Sequence, residues 1–372
     1  MHYFNSNLKE NPTIVSSHKT WLLDKEGNRW FDSWLGGGSL IFGHEKTQIS
    51  SAPYMLPEST IENNDNTYLI DKLVDFKIGS IGIQTSGSSA ITRACRIARA
   101  LTNRKLIALI GDFWHGSDDE FLFRHNYELL SAGLTISPGE NYIWFETISD
   151  FLNDTDFADF AAILVEPFQG SNPKINVVSE LLDSSKRKLL REKNILIIFD
   201  EIITGFRENY GSSLISRKCH PDIVVFGKVL AGGYPIGMVL VNENCRNLVI
   251  EKNIFWGGTF SANPIQIETM FMQLNKLIKL DFNLILNNLD DLCNYLIDNI
   301  RINNIGFSIS KGRGFARIIE SKKKEKSSRG FLFQKTGSEE RLEKLCLENK
   351  IYIPRNRIIF SSCYNIKETL LT

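Results

Sequence analysis

The sequence lacks net charge: 43 basic and 43 acidic side chains cancel over 372 residues. A chain so balanced presents no broad basic field, so neither nucleic acid nor a membrane surface is an expected partner. No apolar run approaches the roughly 20 residues needed to cross a bilayer. The opening Met1–Asn7 has no basic start followed by an apolar stretch, so no secretory signal is expected. Cysteine is sparse, and the six at 95, 219, 245, 293, 346 and 363 show no short paired spacing. That excludes a disulfide framework and points to free thiols in a reducing, cytoplasmic compartment. Cys219-His220 has no second half with which to hold zinc, and no metal is expected. Internal repeats are absent. Lys322–Lys326 is a local basic cluster that reads as a solvated hairpin tip.

What is present is ordinary in bulk and specific in pattern. Hydrophobic content of 42% and charged content of 23% fit a globular protein. The length predicts two or three lobes. Within Trp21–Asp32, two short apolar runs around Glu26-Gly27-Asn28 predict a hairpin. Trp34-Leu35-Gly36-Gly37-Gly38-Ser39 follows, leading toward a cavity. Strands are expected at Ile81–Thr85, Leu106–Ile110, Ala161–Glu166, Ile195–Asp200, Ile223–Phe226 and Gly237–Val241, with helices between them. This alternation predicts an α/β fold with a mainly parallel sheet covered on both faces. Helices are expected from Pro264 toward Leu280, at Leu284–Ile300 and at Glu339–Asn349. Strands are expected at Gly314–Glu320 and Gly330–Gln334, giving a smaller α/β lobe.

Two residues carry the chemistry. Asp200 ends an apolar strand, and ligands of open α/β sheets bind at that edge. Lys228 follows 28 positions later, flanked by Gly227, Gly232 and Gly233, where the backbone can turn sharply. The pair suits a pyridoxal phosphate enzyme: a lysine that forms a Schiff base and a carboxylate that keeps the pyridinium nitrogen protonated. An apolar strand ending in Asp-Glu also describes a nucleoside triphosphatase. That reading needs G-x-x-x-x-G-K-[ST], and here Asp222 stands for the first glycine and Val229 for the hydroxyl residue.

Other segments gather around the pair. Gln84–Ala90 opens a helix with small or apolar residues at Ile91, Ala94, Cys95, Ala98 and Leu101. Its free N–H groups make an anion site, although Ser86-Gly87-Ser88 is also an ordinary cap. Trp114, in Phe113-Trp114-His115-Gly116, offers a ring to stack on a flat ligand or to fill a lid. Glu166 ends another strand. Thr259, in the Gly257–Pro264 turn, is a candidate to donate its hydroxyl to a phosphate, weighed against a simple helix start.

The ordered set Ser-Gly-Ser88, Trp-His-Gly116, Glu-Pro167, Phe199–Arg207, Pro221-Asp222, Gly-Lys228 and Gly257–Pro264 resembles class III pyridoxal phosphate aminotransferases. Its nearest look is to glutamate-1-semialdehyde 2,1-aminomutase-like members. The likeness runs from about Trp21 to Pro264 and continues more faintly through Lys311–Phe315. It implies fold type I of the pyridoxal phosphate-dependent transferases. The expected division is an N-terminal segment at 1–48, a large cofactor-binding domain at 49–264 and a small C-terminal domain at 265–372. It implies Lys228 as the Schiff-base lysine and Asp200 as the pyridinium partner. Gly87 and Ser88 would hold the phosphate, and Trp114 and Ile202 would cover the two ring faces. Thr259 would reach the phosphate of a neighbouring subunit, which implies a homodimer. Glu201 and Arg207 look structural.

The chain departs from the pattern at Ser89, where the family usually has an acid, and at a shortened stretch between His44 and Thr67. There Ser51–Pro57 replaces a segment that normally lines the substrate cavity. The leading expectation is transfer of an amino group between a small-molecule amino donor and a carbonyl acceptor. An aminomutase that shifts an amine within one substrate and a non-catalytic partner protein of the same fold are the alternatives. Arg355 and Arg357 are candidates for gripping a carboxylate or phosphate, weighed against plain surface charge.

Overall fold

A computed structural model describes residues 12–46, 48–49, 66–123, 127–135, 139–153, 156–213, 219–255, 257–303, 306–320, 337–354 and 357–364. The segment 51–57, the basic cluster 322–326, the strand expected at 330–334 and Arg355 lie outside the described residues.

The amino-terminal part forms β1 (Ile14–His18), β2 (Trp21–Asp24) and β3 (Arg29–Asp32). β2 and β3 pair antiparallel, as the hairpin pattern predicts. The turn is closed by Gly27 at φ 83°, a conformation glycine adopts without strain. Asp24 fixes the turn by accepting from the Asn28 backbone at 2.8 Å and the Trp30 indole at 2.8 Å.

The central sheet contains β4 (Ile78–Gln84), β5 (Leu106–Ile110), β6 (Tyr142–Phe145), β7 (Phe160–Val165), β8 (Leu196–Asp200), β9 (Ile223–Phe226) and β10 (Gly237–Asn242). Its order is β4-β10-β9-β8-β7-β5-β6. All neighbours run parallel except β10, which is antiparallel to both β4 and β9. The expectation of a mainly parallel sheet therefore holds, with one reversed strand. β6 was not expected; Trp144 and Phe145 fit a short edge strand, but polar residues at 139–141 hide it.

The sheet is buried on both faces, and side chains alternate between them with the two-residue strand period. Ile198, Leu164, Leu109 and Val225 enter the cluster on the face covered by α1 (Gly87–Thr102). Phe199, Ile197, Val165 and Phe226 enter the opposite cluster, beneath α2 (Ser184–Glu192) and α3 (Pro264–Leu277). Burying each of these side chains contributes about 1.5–3 kcal/mol. The last helical stretch expected toward Leu280 stops at Leu277, where the chain closes a turn before α4 (Phe282–Ile302).

β11 (Phe307–Lys311), β12 (Phe315–Glu320) and β14 (Ile358–Phe360) form a small antiparallel sheet. α5 (Gly337–Glu348) leads into β13 (Ile351–Tyr352), which pairs with β3 of the amino-terminal sheet. The two ends of the chain thus share one sheet. Among the described residues, no helix is long and apolar enough to cross a membrane.

Candidate active site

The parallel arrangement brings the C-terminal ends of β4, β5, β7, β8 and β9 to one edge of the sheet. The candidate residues fall at those ends. Asp200 closes β8 on the α1 face and is 2% exposed. Its Oδ2 lies 2.8 Å from His115 Nδ1, and its Oδ1 accepts from the Ile202 backbone at 3.0 Å. His115 is itself buried. Its ring stacks on Phe113 at 4.7 Å, nearly parallel, and meets Phe121 edge-on at 6.0 Å. Packing therefore fixes the imidazole, and the imidazole fixes the carboxylate. Such support from behind is how a charged group is held in a productive orientation.

Lys228 follows Gly227 at the end of β9, at φ 35°. That left-handed backbone costs a non-glycine residue about 1–3 kcal/mol and is characteristic of functional positions. The following turn, Lys228–Ala231, closes on Gly232 at φ 59°. Lys228 is half-buried overall, and its amine is desolvated. Desolvation holds the pKa below the ordinary lysine value; Arg207 acts in the same direction, while Asp200 and Glu166 oppose it. The amine therefore gives up its proton more readily than a surface lysine, as an attacking amine requires.

The start of α1 forms the third side. Ser86 caps the helix: its hydroxyl accepts from Ser89 N at 3.1 Å, and Ser89 Oγ accepts from Ser86 N at 3.2 Å. This reciprocal capping box is usually completed by Glu or Gln. The serine at 89 thus keeps the cap while removing an acid from the positive end of the helix. Ser88 Oγ accepts from Ser117 N at 3.1 Å. A Cβ at Gly116 would come within 2.5 Å of that same Oγ, so the loop after β5 needs glycine to close on the helix. A Cβ at Gly87 would lie 2.7 Å from Ile202 Cδ1, and one at Gly227 would lie 3.4 Å from the Ile202 side chain. Ile202 is therefore wedged between the helix start and the lysine turn.

The structure thus brings together Gly87, Ser88, Asp200, Ile202 and Lys228. Trp114 borders this cluster, with its backbone N–H donating to Glu166 Oε2 at 3.3 Å and its side chain 38% exposed. Thr259 is exposed. Arg357 lies over the Phe307 ring at 5.1 Å, a cation–π contact.

Three further residues lie around this cluster: His115 and Ser117, given no role from the sequence, and Arg207, read from it as structural. His115 was read only as part of an aromatic motif, although a histidine just beyond a buried strand is itself a polar signal. Ser117 lacked a motif. Arg207, assigned a structural role, is a buried cation near the lysine. Its Nη2 donates to Gly38 O at 2.6 Å, its Nε donates to Ile203 O at 2.8 Å, and its guanidinium covers Phe360 at 4.7 Å. Burial pushes its pKa down to about 9. Gly38 belongs to the Leu35–Gly38 turn, which packs against the lysine turn. The Trp34–Ser39 segment therefore does reach the site.

The donor set fits pyridoxal phosphate. A buried, oriented carboxylate suits a protonated ring nitrogen, and a desolvated amine suits an aldehyde. A hydroxyl-rich helix start, narrow enough to require glycine, suits a phosphate. Among the described residues, no group of three or more His, Cys, Asp or Glu is arranged to hold a metal ion.

Comparison with known proteins agrees with this chemistry. The family model for aminotransferase class-III matches residues 134–335. A glutamate-1-semialdehyde 2,1-aminomutase of Thermoplasma volcanium is 30% identical over 295 residues, covering 74% of this chain and 70% of that protein. A glutamate-1-semialdehyde 2,1-aminomutase 2 of Geobacillus kaustophilus is 30% identical, covering 69% of this chain and 63% of that protein. The chain thus spans a little under two thirds to 70% of the curated relatives it matches. Among solved structures, an omega-transaminase from Sphaerobacter thermophilus superposes with a TM-score of 0.79 at 19% identity, covering 98% of this chain and 89% of that one. A glutamate-1-semialdehyde-aminomutase from Pseudomonas aeruginosa PAO1 gives 0.79 at 17% identity, covering 97% and 85%. These two share the fold.

Proposed function

The chain belongs to the class III aminotransferase family, and from that premise we propose that it moves an amino group between a small amino donor and a carbonyl acceptor. The family's cofactor is pyridoxal 5'-phosphate. In our reading Lys228 holds it covalently, Asp200 faces its ring nitrogen, and Gly87 and Ser88 hold its phosphate. Trp114 and Ile202 flank its ring. Thr259 serves the phosphate of a second copy in a homodimer. We divide the chain accordingly into 1–48, 49–264 and 265–372, the middle part carrying the site.

When bound, the cofactor supplies an electron sink for the carbon that carries the amine. The residues supply the rest. Asp200, held by His115 in a dry setting, would favour a protonated ring nitrogen. Lys228 Nζ would take the proton from the donor's amine-bearing carbon and deliver it to the cofactor's aldehyde carbon, and would run the same shuttle in reverse for the acceptor. Desolvation lowers its proton affinity below that of a surface lysine, which favours the neutral amine that accepts a proton. The observation that carries this reading is the convergence of a desolvated Lys228 and a buried, His115-braced Asp200 at one sheet edge.

The aminomutase reading is supported by the names of the curated relatives. It uses the same residues, and the two differ in whether a separate donor is consumed. The test is turnover of a carbonyl substrate with and without an added ¹⁵N-labelled amino donor. We expect product only with the donor present, carrying its label. Turnover of a single amino-carbonyl compound without any donor would overturn transfer in favour of the mutase. A non-catalytic role is disfavoured by the retention of both Lys228 and Asp200.

A further inference from the structure

Arg93 stands on the second turn of α1, the helix whose start we assign to the cofactor phosphate. Its guanidinium is spread over main-chain carbonyls of a distant loop. Nη1 donates to Phe255 O at 2.9 Å and Nη2 to Gly257 O at 3.0 Å. The same group covers the Phe255 ring at 5.1 Å. A planar fork can grip two carbonyls two residues apart, whereas a lysine would satisfy one.

Among the described residues, the glycines that follow stand in open space. A Cβ added at Gly257 would meet nothing within 4 Å, and one at Gly258 would meet only Ser261 Oγ at 3.7 Å. The far end is fixed by the start of α3. There Asn263 caps the helix, accepting from Gln266 N at 3.1 Å, and its Nδ2 donates to Phe260 O at 2.8 Å. Between the two anchors lies exposed Thr259. It is flanked by two aromatic side chains that stand in solvent, Phe255 at 66% and Phe260 at 64% exposure. Exposed aromatics beside a hydroxyl are a poor surface for a lone subunit and a good one for a second copy.

We propose that Arg93 is a positioning residue that ties α1 to the Thr259 loop, so that each subunit's α1 sets the loop that completes its neighbour's phosphate site. The proposal rests on the reading of Thr259 given above. It makes the two sites of a dimer interdependent: α1 holds phosphate at its own start and, through Arg93, presents the loop that holds phosphate across the interface. Coupling of this kind between sites typically amounts to about 5–150-fold in affinity.

The test measures cofactor retention in dimers of defined composition. The homodimer of Arg93→Ala should bind pyridoxal phosphate about 10-fold more weakly than wild type, as should Thr259→Ala. Arg93→Lys, which keeps the charge and one donor, should fall between and carries the test if the alanine variant does not fold. In a mixed dimer, a differently tagged Lys228→Ala subunit with an intact loop is paired with an Arg93→Ala subunit. Borohydride reduction then counts only cofactor fixed on the remaining Lys228. Retention restored to the wild-type level is expected, because the loop reaching that site comes from the partner. Retention as weak as in the Arg93→Ala homodimer would place the action of Arg93 within its own subunit and overturn the proposal. Weakening by Arg93→Ala but not by Thr259→Ala would also overturn it, while leaving the proposed reaction intact. A wild-type protein that fixes no cofactor would overturn the functional reading, and the proposal with it.

Discussion

The two faces of the central sheet at the end of β8 carry adjacent acids with opposite fates. Asp200 points to the α1 face, meets a histidine and opens onto the site. Glu201 points the other way, into a nest of hydroxyls. Its Oε1 accepts from Ser212 Oγ at 2.6 Å, Ser213 N at 3.0 Å and Ser213 Oγ at 3.0 Å, and its Oε2 accepts from Thr204 Oγ1. Burial pushes Glu201 up to about 7, against the pull of those donors. Strand alternation alone separates the two roles. An acid at a strand end is thus informative only with its face assigned: one side serves chemistry, the other fastens the following loop to the core.

Substitution of Asp200 and its partners should change chemistry more than stability; substitution of Glu201 should do the reverse. The largest effect is expected at Lys228. Lys228→Ala should abolish both turnover and the visible absorbance of bound cofactor, and persistence of either would remove Lys228 from the assigned role. Asp200→Asn keeps the shape but not the charge, and should lower kcat by about 10²–10³-fold, the scale of losing one preorganised electrostatic partner. Equal turnover would contradict the electron-sink role. Loss of the brace behind it should matter less: His115→Ala should cost about 10-fold in kcat, with steady-state kinetics as the check. An effect as large as that of Asp200→Asn would mean that His115 does more than orient.

Glu201→Gln should leave kcat nearly unchanged and alter the pH dependence of stability. The folded-state pKa of Glu201 lies above its ordinary value of 4.5. The stability it contributes is therefore fully present below about pH 4.5 and is lost as pH rises through about 7. The glutamine variant does not titrate. Relative to wild type, it should gain on the order of 3 kcal/mol between pH 4.5 and pH 8. Urea unfolding at the two pH values measures this, and a constant difference would show that Glu201 is not raised.

The comparison also explains what could be read from the sequence. The strands and the Asp200–Lys228 pair are legible because a doubly covered parallel sheet writes itself as apolar runs with polar residues at one end. β5 and β9 have the predicted bounds, and β8 differs by one residue. β11 escaped notice because Ser308 and Ser310 break its apolar run, and β13 because two residues carry no pattern. The reversed direction of β10 has no local signature, since pairing partners are set by topology. His115 was visible as a letter but not as the partner of Asp200, 85 positions away. The fork of Arg93 onto a loop 162 positions away left no trace at all. Ser89, a departure when read as a motif, turns out to keep the helix cap that an acid would otherwise complete.

The central claim is that cofactor chemistry is seated on Lys228 beside Asp200. The most direct measurement is borohydride reduction of the purified protein loaded with pyridoxal phosphate, followed by peptide mapping by mass spectrometry. The account predicts the cofactor's mass on the peptide containing Lys228, stoichiometric with the chain, and its loss when a reactive amino donor is added before reduction. Label on other lysines, or no stoichiometric label on Lys228, would contradict it.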